Sequence, residues 1–435
     1  MIKVANNGLS PDEERKQQRG AVMLLSMGTF LEYFDLMLYV HMAPLLNSLF
    51  FPESNAYSKQ LMIAFGFCAT YFFRPIGALI FGYVGDKNGR RFTVFITMGM
   101  MAVACLLMMI VPPYAKLGIW ASVIVILCRV LQGMSSIGEL TGAQLYLTES
   151  IPAPKVYTSV GIIASCTSLG GMAALGIAAI VTNKYVLEEN PQAWRYAFLF
   201  GLLIAVIGFA TRITLREAPE YADANIAYKN SKIKLPENNS SIKTVIYYFI
   251  LEASTMPWFY FSYMHCGALL ETKFGFTAAE VIDNNFFVTL PDVIWCFALA
   301  FLASKVHPFK IVKFRLIMCS FVVVAMIYMD YWCTTSQHVY YIQVATEMLM
   351  VTSFPARPLL YKCFPVMQRF RATAITLAFA SVLMKILSSF GVIGLYQHFG
   401  SFGLGIIFVP CIVGFAIALR YFENLVSQRI RAQAS

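Results

Sequence analysis

Glu32 and Asp35 lie in the stretch "FLEYFDLMLY", inside an apolar run that starts near Ala21 and continues to Phe51. A carboxylate in such a run loses its hydration, and acids that persist there face a partner or a cavity and mark ion or proton paths. Counted from Ala21, the two sit roughly 16 to 21 Å along a helix at 1.5 Å per residue, which is mid-membrane depth. Glu32, Asp35 and Tyr39 are spaced to share one helical face. A rival reading starts the helix at Thr29, so that "TFLE" is a capping box with Glu32 in the first turn; it leaves Asp35 unexplained. The chemistry expected of these acids is reversible protonation, with Asp35 as main proton carrier, Glu32 second and Glu139 third.

Two cations lie at similar depth, Arg74 and Arg129. Each is either the structural partner of an acid or a contact for a solute carboxylate, which Arg holds with two parallel hydrogen bonds. Arg129, Gln132, Ser136 and Glu139 form one polar stripe at helical spacing. The second half adds Glu252, Asp292, Glu347 and Lys385, with Asp292 beside Pro291 in a segment opened by the capping box "TAAE". Arg357 is expected to be shallow enough to snorkel out. The candidate binding set is Tyr39, Arg74, Arg129, Gln132, Asp292, Glu347 and Lys385. Six deep acids then face three deep bases, Arg74, Arg129 and Lys385. The excess implies that some acids are protonated in at least one state, and it favours a solute that carries a cationic group beside its carboxylate. His41 reads as packing. The ten Cys are dispersed, with no C-x-x-C pair and no metal-spaced Cys/His set, so neither disulfides nor a metal are expected. No Ser/His pair suggests an intramembrane enzyme.

These residues need a frame that holds them in a bilayer. The 435 residues are 58% hydrophobic and only 13% charged, against about 25% charged in a soluble chain, and mean hydropathy is +0.65. Runs of about 20 apolar residues recur along the whole chain, the length a helix needs to cross a core of about 30 Å. The expected fold is all-α and integral to the membrane, with twelve spans in two six-helix bundles. The parts are an N-terminal segment 1–20, a first bundle 21–215, a polar linker 216–243, a second bundle 244–423 and a tail 424–435. "SPDEERKQQR" reads as a short capped helix with Ser10 at its cap, and the first span reads as retained. Small residues of the fifth span, among them Gly161, Gly171 and Gly176, are spaced for close helix packing. Twenty-two Lys and Arg fall on one side, Arg315 and Arg369 among them, against four on the other, which puts both termini in the cytoplasm. The net charge of +10 is therefore topology, and no nucleic-acid surface is expected.

After the second span comes "GYVGDKNGRR", a tight turn with Gly82, Gly85, Asp86, Gly89, Arg90 and Arg91. The glycines permit the turn, and Asp86 can meet a helix N-terminus or an Arg, a state-dependent latch. The spelling resembles the cytoplasmic loop signature of the major facilitator superfamily. "FLEYFDLMLY", "FFRPIGALIFGYVGD", "RVLQGMSSIGELTGAQLYLTES" and "LREAPEY" resemble motifs of its metabolite:proton symporter branch, which includes proline/betaine, ketoglutarate, citrate and shikimate permeases. Ile137 stands where that branch has Gly, and Ala218 where it has Thr. In the second half "ASKVHPFK" lacks the Asp and the Gly-Arg pair of the first-half loop, and "FPVMQRFRATA" keeps a trace of the family pattern.

The resemblance implies a secondary transporter in a bacterial inner membrane, importing a zwitterionic or carboxylate-bearing solute by proton symport through alternating access. The proton is its coupling ion, no other cofactor is needed, and a monomer is expected. Two other readings stand beside it. One is an efflux antiporter of the same superfamily, disfavoured because "SLGGMAALG" in the fifth span lacks the Pro of such exporters; the other is a membrane sensor that has lost transport.

Overall fold

A computed structural model describes residues 11–51, 70–181, 186, 190, 192–212, 221–222 and 241–434. Ser10 with its expected cap, the outer end of the second span, most of "LREAPEY" and nearly all of the linker 216–243 lie outside the described residues. Among the described residues the chain is helical throughout, without strands.

The first half comprises α1 (Pro11–Phe50), α2 (Arg74–Lys87), α3 (Arg90–Ile110), α4 (Ile119–Ser150), α5 (Lys155–Val181) and α6 (Trp194–Arg212). The second comprises α7 (Ile242–Ala253), α8 (Cys266–Phe274), α9 (Ala278–Leu302), α10 (Pro308–Ile327), α11 (Ser336–Leu349), α12 (Arg357–Tyr361), α13 (Val366–Phe399) and α14 (Phe402–Ala434). The seventh crossing runs from α7 through Pro257–Phe259 and a π-helical turn, Tyr260–His265, into α8. The tenth is α11 and α12 joined by the 3-10 turn Phe354–Ala356. Among the described residues seven helices are individually long and apolar enough to cross a bilayer, and the described helices fall where the twelve spans are expected. The molecule is a multi-pass membrane protein.

Two boundaries differ from expectation. Gly20, between the polar N-terminal stretch and the first span, does not interrupt the helix, so α1 is one helix of 40 residues. Thr29 is interior to it, its hydroxyl turned back to the Ser26 carbonyl at 3.1 Å, which removes the reading that put Glu32 in a first turn. Likewise α14 continues through the expected tail to Ala434. The box at Thr277 forms as spelled: Glu280 N–H donates to Thr277 Oγ1 at 3.3 Å, and Thr277 N–H donates to Glu280 Oε2 at 2.7 Å.

Each half has its own apolar core, and the halves meet where α5 packs on α9 and α2 on α13. The small residues of α5 make this possible. Gly161 lies against Ala300 of α9, where an added Cβ would come within 2.7 Å of the Ala300 Cβ, and Gly170 lies against the Phe30 carbonyl of α1. A belt of exposed apolar side chains, among them Phe72, Leu127, Phe200, Phe314 and Phe390, faces outward on both halves, as lipid contact requires.

Candidate functional site

Between the halves lies a cavity of about 250 Å³, lined by both. From the first half come Glu32 and His41 on α1, Tyr71 and Arg74 around the start of α2, and Ser136 and Gln144 on α4. The second half supplies Phe259 and Tyr263, Asp292 on α9, Arg315 on α10, Glu347 on α11, Arg357 and Lys385.

The charges are buried and braced. Arg74 Nη2 stands 3.7 Å from Glu32 Oε1, with both side chains at least nine-tenths buried. Among the described residues Glu32 Oε2 and Arg74 Nε have no hydrogen-bond partner. The Arg74 guanidinium lies 4.5 Å from the centre of the Tyr71 ring. Lys385 reaches the same ring from α13, its Nζ 5.1 Å from the centre of Tyr71 and 4.4 Å from that of Phe259. Aromatic faces attract cations through the ring quadrupole, so these rings hold the two cations where water is scarce. His41 also lines the cavity, with its ring 6.4 Å from that of Tyr263.

Of the residues singled out in the sequence, Glu32, Arg74, Asp292, Glu347 and Lys385 line this cavity, whereas Tyr39, Asp35, Arg129, Gln132 and Glu139 are not among its lining residues. Three residues along a helix rotate a side chain by about 60° from the starting direction, and that offset turns Asp35 away from the cavity towards α3. There Cys105 Sγ donates to its Oδ1 at 3.6 Å, while Oδ2 has no partner among the described residues. Arg129 engages other groups. Its guanidinium lies 3.8 Å from the centre of the Tyr39 ring and donates from Nη1 to Gln132 Oε1 at 2.7 Å, leaving Nε and Nη2 unbonded. Glu139 accepts from Thr97 Oγ1 of α3 at 3.4 Å. The polar stripe of α4 thus divides, with Ser136 towards the cavity and the rest towards helices of its own half.

Three basic residues correct the expected tally. Arg315 was assigned to a basic loop, but α10 opens at Pro308, which carries Arg315 about 10 Å into the helix. It is 1% exposed, donates from Nε to the Met350 carbonyl at 3.1 Å, and lines the cavity. Arg357 does not snorkel outward. The 3-10 turn at Phe354–Ala356 turns it inward, where its Nη2 meets Glu252 Oε2 at 3.2 Å. Arg369, also assigned to a loop, is 3% exposed and pairs with Glu149 of α4 at 3.0 Å. With Arg315 and Arg357 counted, five deep bases face the six deep acids, and the charge excess that called for protonated acids and a cationic solute nearly vanishes.

Below the cavity, at the end carrying Lys87, Lys155 and Arg371, the halves are bonded together; this is the basic end. Gln144 Oε1 accepts from Arg357 Nη1 at 3.1 Å and from Tyr361 Oη at 2.7 Å. Asp86 Oδ2 accepts the Arg371 backbone N–H at 3.1 Å, and its carbonyl accepts from Tyr221 Oη at 2.9 Å. Gly82 and Gly85 let α2 approach Arg371 and Phe370. Gly89 turns the chain with φ +104, a conformation other residues rarely adopt, and Arg90 opens α3; Arg91 is exposed. Asp86 thus bonds to the second half through "FPVMQRFRATA" at the start of α13. Among the described residues no group of His, Cys, Asp and Glu is arranged to hold a metal.

Comparison with known proteins agrees with this architecture. The chain is 32% identical over 208 residues to the proline/betaine transporter of Salmonella typhimurium, covering 47% of this chain and 41% of that one. It is 36% identical over 207 residues to the citrate-proton symporter of Klebsiella pneumoniae, covering 46% of each. The matched region of this chain spans about half the length of the curated relatives it matches. Among solved structures, the proton:xylose symporter XylE bound to 6-bromo-6-deoxy-D-glucose superposes with a TM-score of 0.77 at 13% identity, over 95% of this chain and 96% of that one. The human organic anion transporter MFSD10 does so with a TM-score of 0.64 at 16% identity, over 93% and 99%. At such identities the likeness is one of fold. The family model described as Major Facilitator Superfamily matches residues 25–392, and the chain belongs to that superfamily.

Proposed function

We propose that the protein imports a small carboxylate-bearing solute, either a zwitterion of the proline/betaine kind or an organic acid, by proton symport through alternating access of its two halves. The observation that carries this reading is the Glu32–Arg74 pair, an acid and a base set 3.7 Å apart on the wall of a cavity between the halves. A proton reaching Glu32 removes the charge that engages Arg74. The guanidinium is then available to a solute carboxylate, which it can hold in two parallel bonds. Solute and proton are linked because each satisfies one member of the pair.

The other lining charges support a carboxylate as the common recognition element. Arg74, Arg315, Arg357 and Lys385 stand against Glu32, Asp292 and Glu347. This near balance accepts a solute bearing both signs, and protonation of one acid tips it towards an anion. Asp35 and Arg129, under-bonded behind the cavity, serve as a second proton site, with Glu139 further along α4. The names of the relatives, proline/betaine transporter and citrate-proton symporter, fit the same solute class. The bonds at the basic end hold the cavity shut on that side, and Asp86 acts there as the gate. By the positive-inside rule that side is the cytoplasm, with both termini on it, in a bacterial inner membrane. The working unit is a monomer, with no cofactor beyond the proton.

The test is lumenal pH, read with a trapped dye in proteoliposomes, as proline, glycine betaine, citrate, ketoglutarate and shikimate are added outside in turn. Solute-dependent acidification establishes symport and picks the solute class. Silence across the panel from folded protein overturns the reading in favour of an obligate exchanger or a sensor.

A further inference from the structure

The regular helix of the seventh crossing ends at Ala253, and Pro257, which lacks an N–H, opens the short turn Pro257–Phe259. That turn passes directly into the π-turn Tyr260–His265 before α8 begins. Such turns are rare, occur often at functional sites, and disturb the ladder of backbone carbonyls. Here one of those carbonyls is taken up from a neighbouring helix. Gln343 of α11, fully buried, donates from Nε2 to the Ser262 carbonyl at 2.6 Å. Its other N–H reaches Asn285 Oδ1 of α9 at 3.2 Å, and its Oε1 accepts from Asn284 Nδ2 at 2.8 Å. Both donors of the amide and its acceptor are thus engaged. The flipped amide would set Oε1 against the Ser262 carbonyl, so the network admits one orientation.

The next residue after Ser262 is Tyr263, which lines the cavity. Its hydroxyl meets Thr289 Oγ1 at 2.9 Å, and its ring packs on Phe259, centre to centre 5.0 Å, where Lys385 also rests. An α-helical course through the same segment, at about 100° per residue, would rotate Tyr263 by about 50° relative to the wider π-turn.

We propose that Gln343, without touching the cavity itself, is the positioning residue that sustains the π-turn and so aims Tyr263 at the solute site. The clause about the solute rests on the function proposed above; the clause about the turn does not.

The experiment uses the full chain in lipid nanodiscs. Hydrogen exchange over residues 256–270 should accelerate about tenfold or more in Gln343→Leu, the loss of a buried bond reading out locally, with α13 and α14 unchanged. Acceleration absent, or spread evenly over the second half, overturns the proposal. In proteoliposomes given proline or citrate, Gln343→Leu should raise KM several-fold with maximal rate retained, and should add nothing in a Tyr263→Ala background. Additive effects overturn the claim that Gln343 acts through Tyr263. If neither solute moves protons in the wild type, that failure belongs to the solute reading, and exchange alone decides the turn. Should Gln343→Leu not fold, Asn284→Leu leaves Gln343 in place but releases its Oε1, and the same local acceleration is required of it.

Discussion

Replacing Glu149 by Gln should open the basic end of the molecule. Glu149 and Arg369 are 5% and 3% exposed, joined at 3.0 Å across the two halves. Losing the charged partner weakens the hold on Arg369, which keeps its bond to the Phe364 carbonyl at 3.3 Å, at a cost of about 1.5 to 3 kcal/mol. That cost falls on the closed state alone, because opening separates α4 from the start of α13 and lets water reach Arg369. At 1.4 kcal/mol per decade, the closed-to-open equilibrium constant should fall about tenfold to a hundredfold. Spin labels placed at the exposed Lys87 and Lys310, one in each half, would report the change as a longer distance distribution in pulsed electron paramagnetic resonance. The double variant Glu149→Gln/Arg369→Gln removes the buried Arg369 charge from the closed interface as well and should recover much of the closed population. An unchanged distribution in the single variant, or a double variant no more closed than the single, would refute the argument that this pair holds the end shut.

Further outcomes are expected elsewhere. Glu32→Gln and Asp35→Asn should each keep solute binding and lose proton coupling, measured as solute counterflow persisting while dye-reported acidification stops; coupled uptake surviving in Asp35→Asn would leave Glu32 as the proton carrier. Lys385→Met should raise KM for a carboxylate solute about tenfold or more, the loss of one charged contact, and leave the melting temperature within a few degrees of wild type. Gly170→Val puts a branched side chain against the Phe30 carbonyl and should cost about 1 to 3 kcal/mol, read as a lower thermal midpoint in detergent; an unchanged midpoint would mean that α1 and α5 need not approach so closely.

The membrane spans were legible because length and hydropathy fix them almost alone, and the depth of Glu32 follows from counting residues. Which way a side chain faces at that depth is set by the neighbouring helices. Glu32 and Asp35 carry the same signal in the sequence and end on different sides of α1, one on the cavity and one against Cys105. Arg315 was hidden by a boundary: Pro308 starts α10 well before the apolar run becomes continuous. Arg357 was hidden by a bend, although Pro355 and Pro358 beside it were a readable warning that the tenth span does not run straight. The latch partner was missed for another reason. Asp86 takes a backbone N–H from α13, and a backbone donor leaves no spelling to find.

The length of α1 gives it a mechanical role. Its contact with Gly170 at Phe30 lies 19 residues from Pro11 and 20 from Phe50, so a rod pivoted there would have arms of about 30 Å, the outer one carrying Pro44. A tilt of about 10° on that fulcrum would swing each tip by about 5 Å. Glu32, two residues from the pivot, would shift by only about half an ångström. The carboxylate can keep its place beside Arg74 while both mouths of the protein change width, because it is mounted at the axle of the lever.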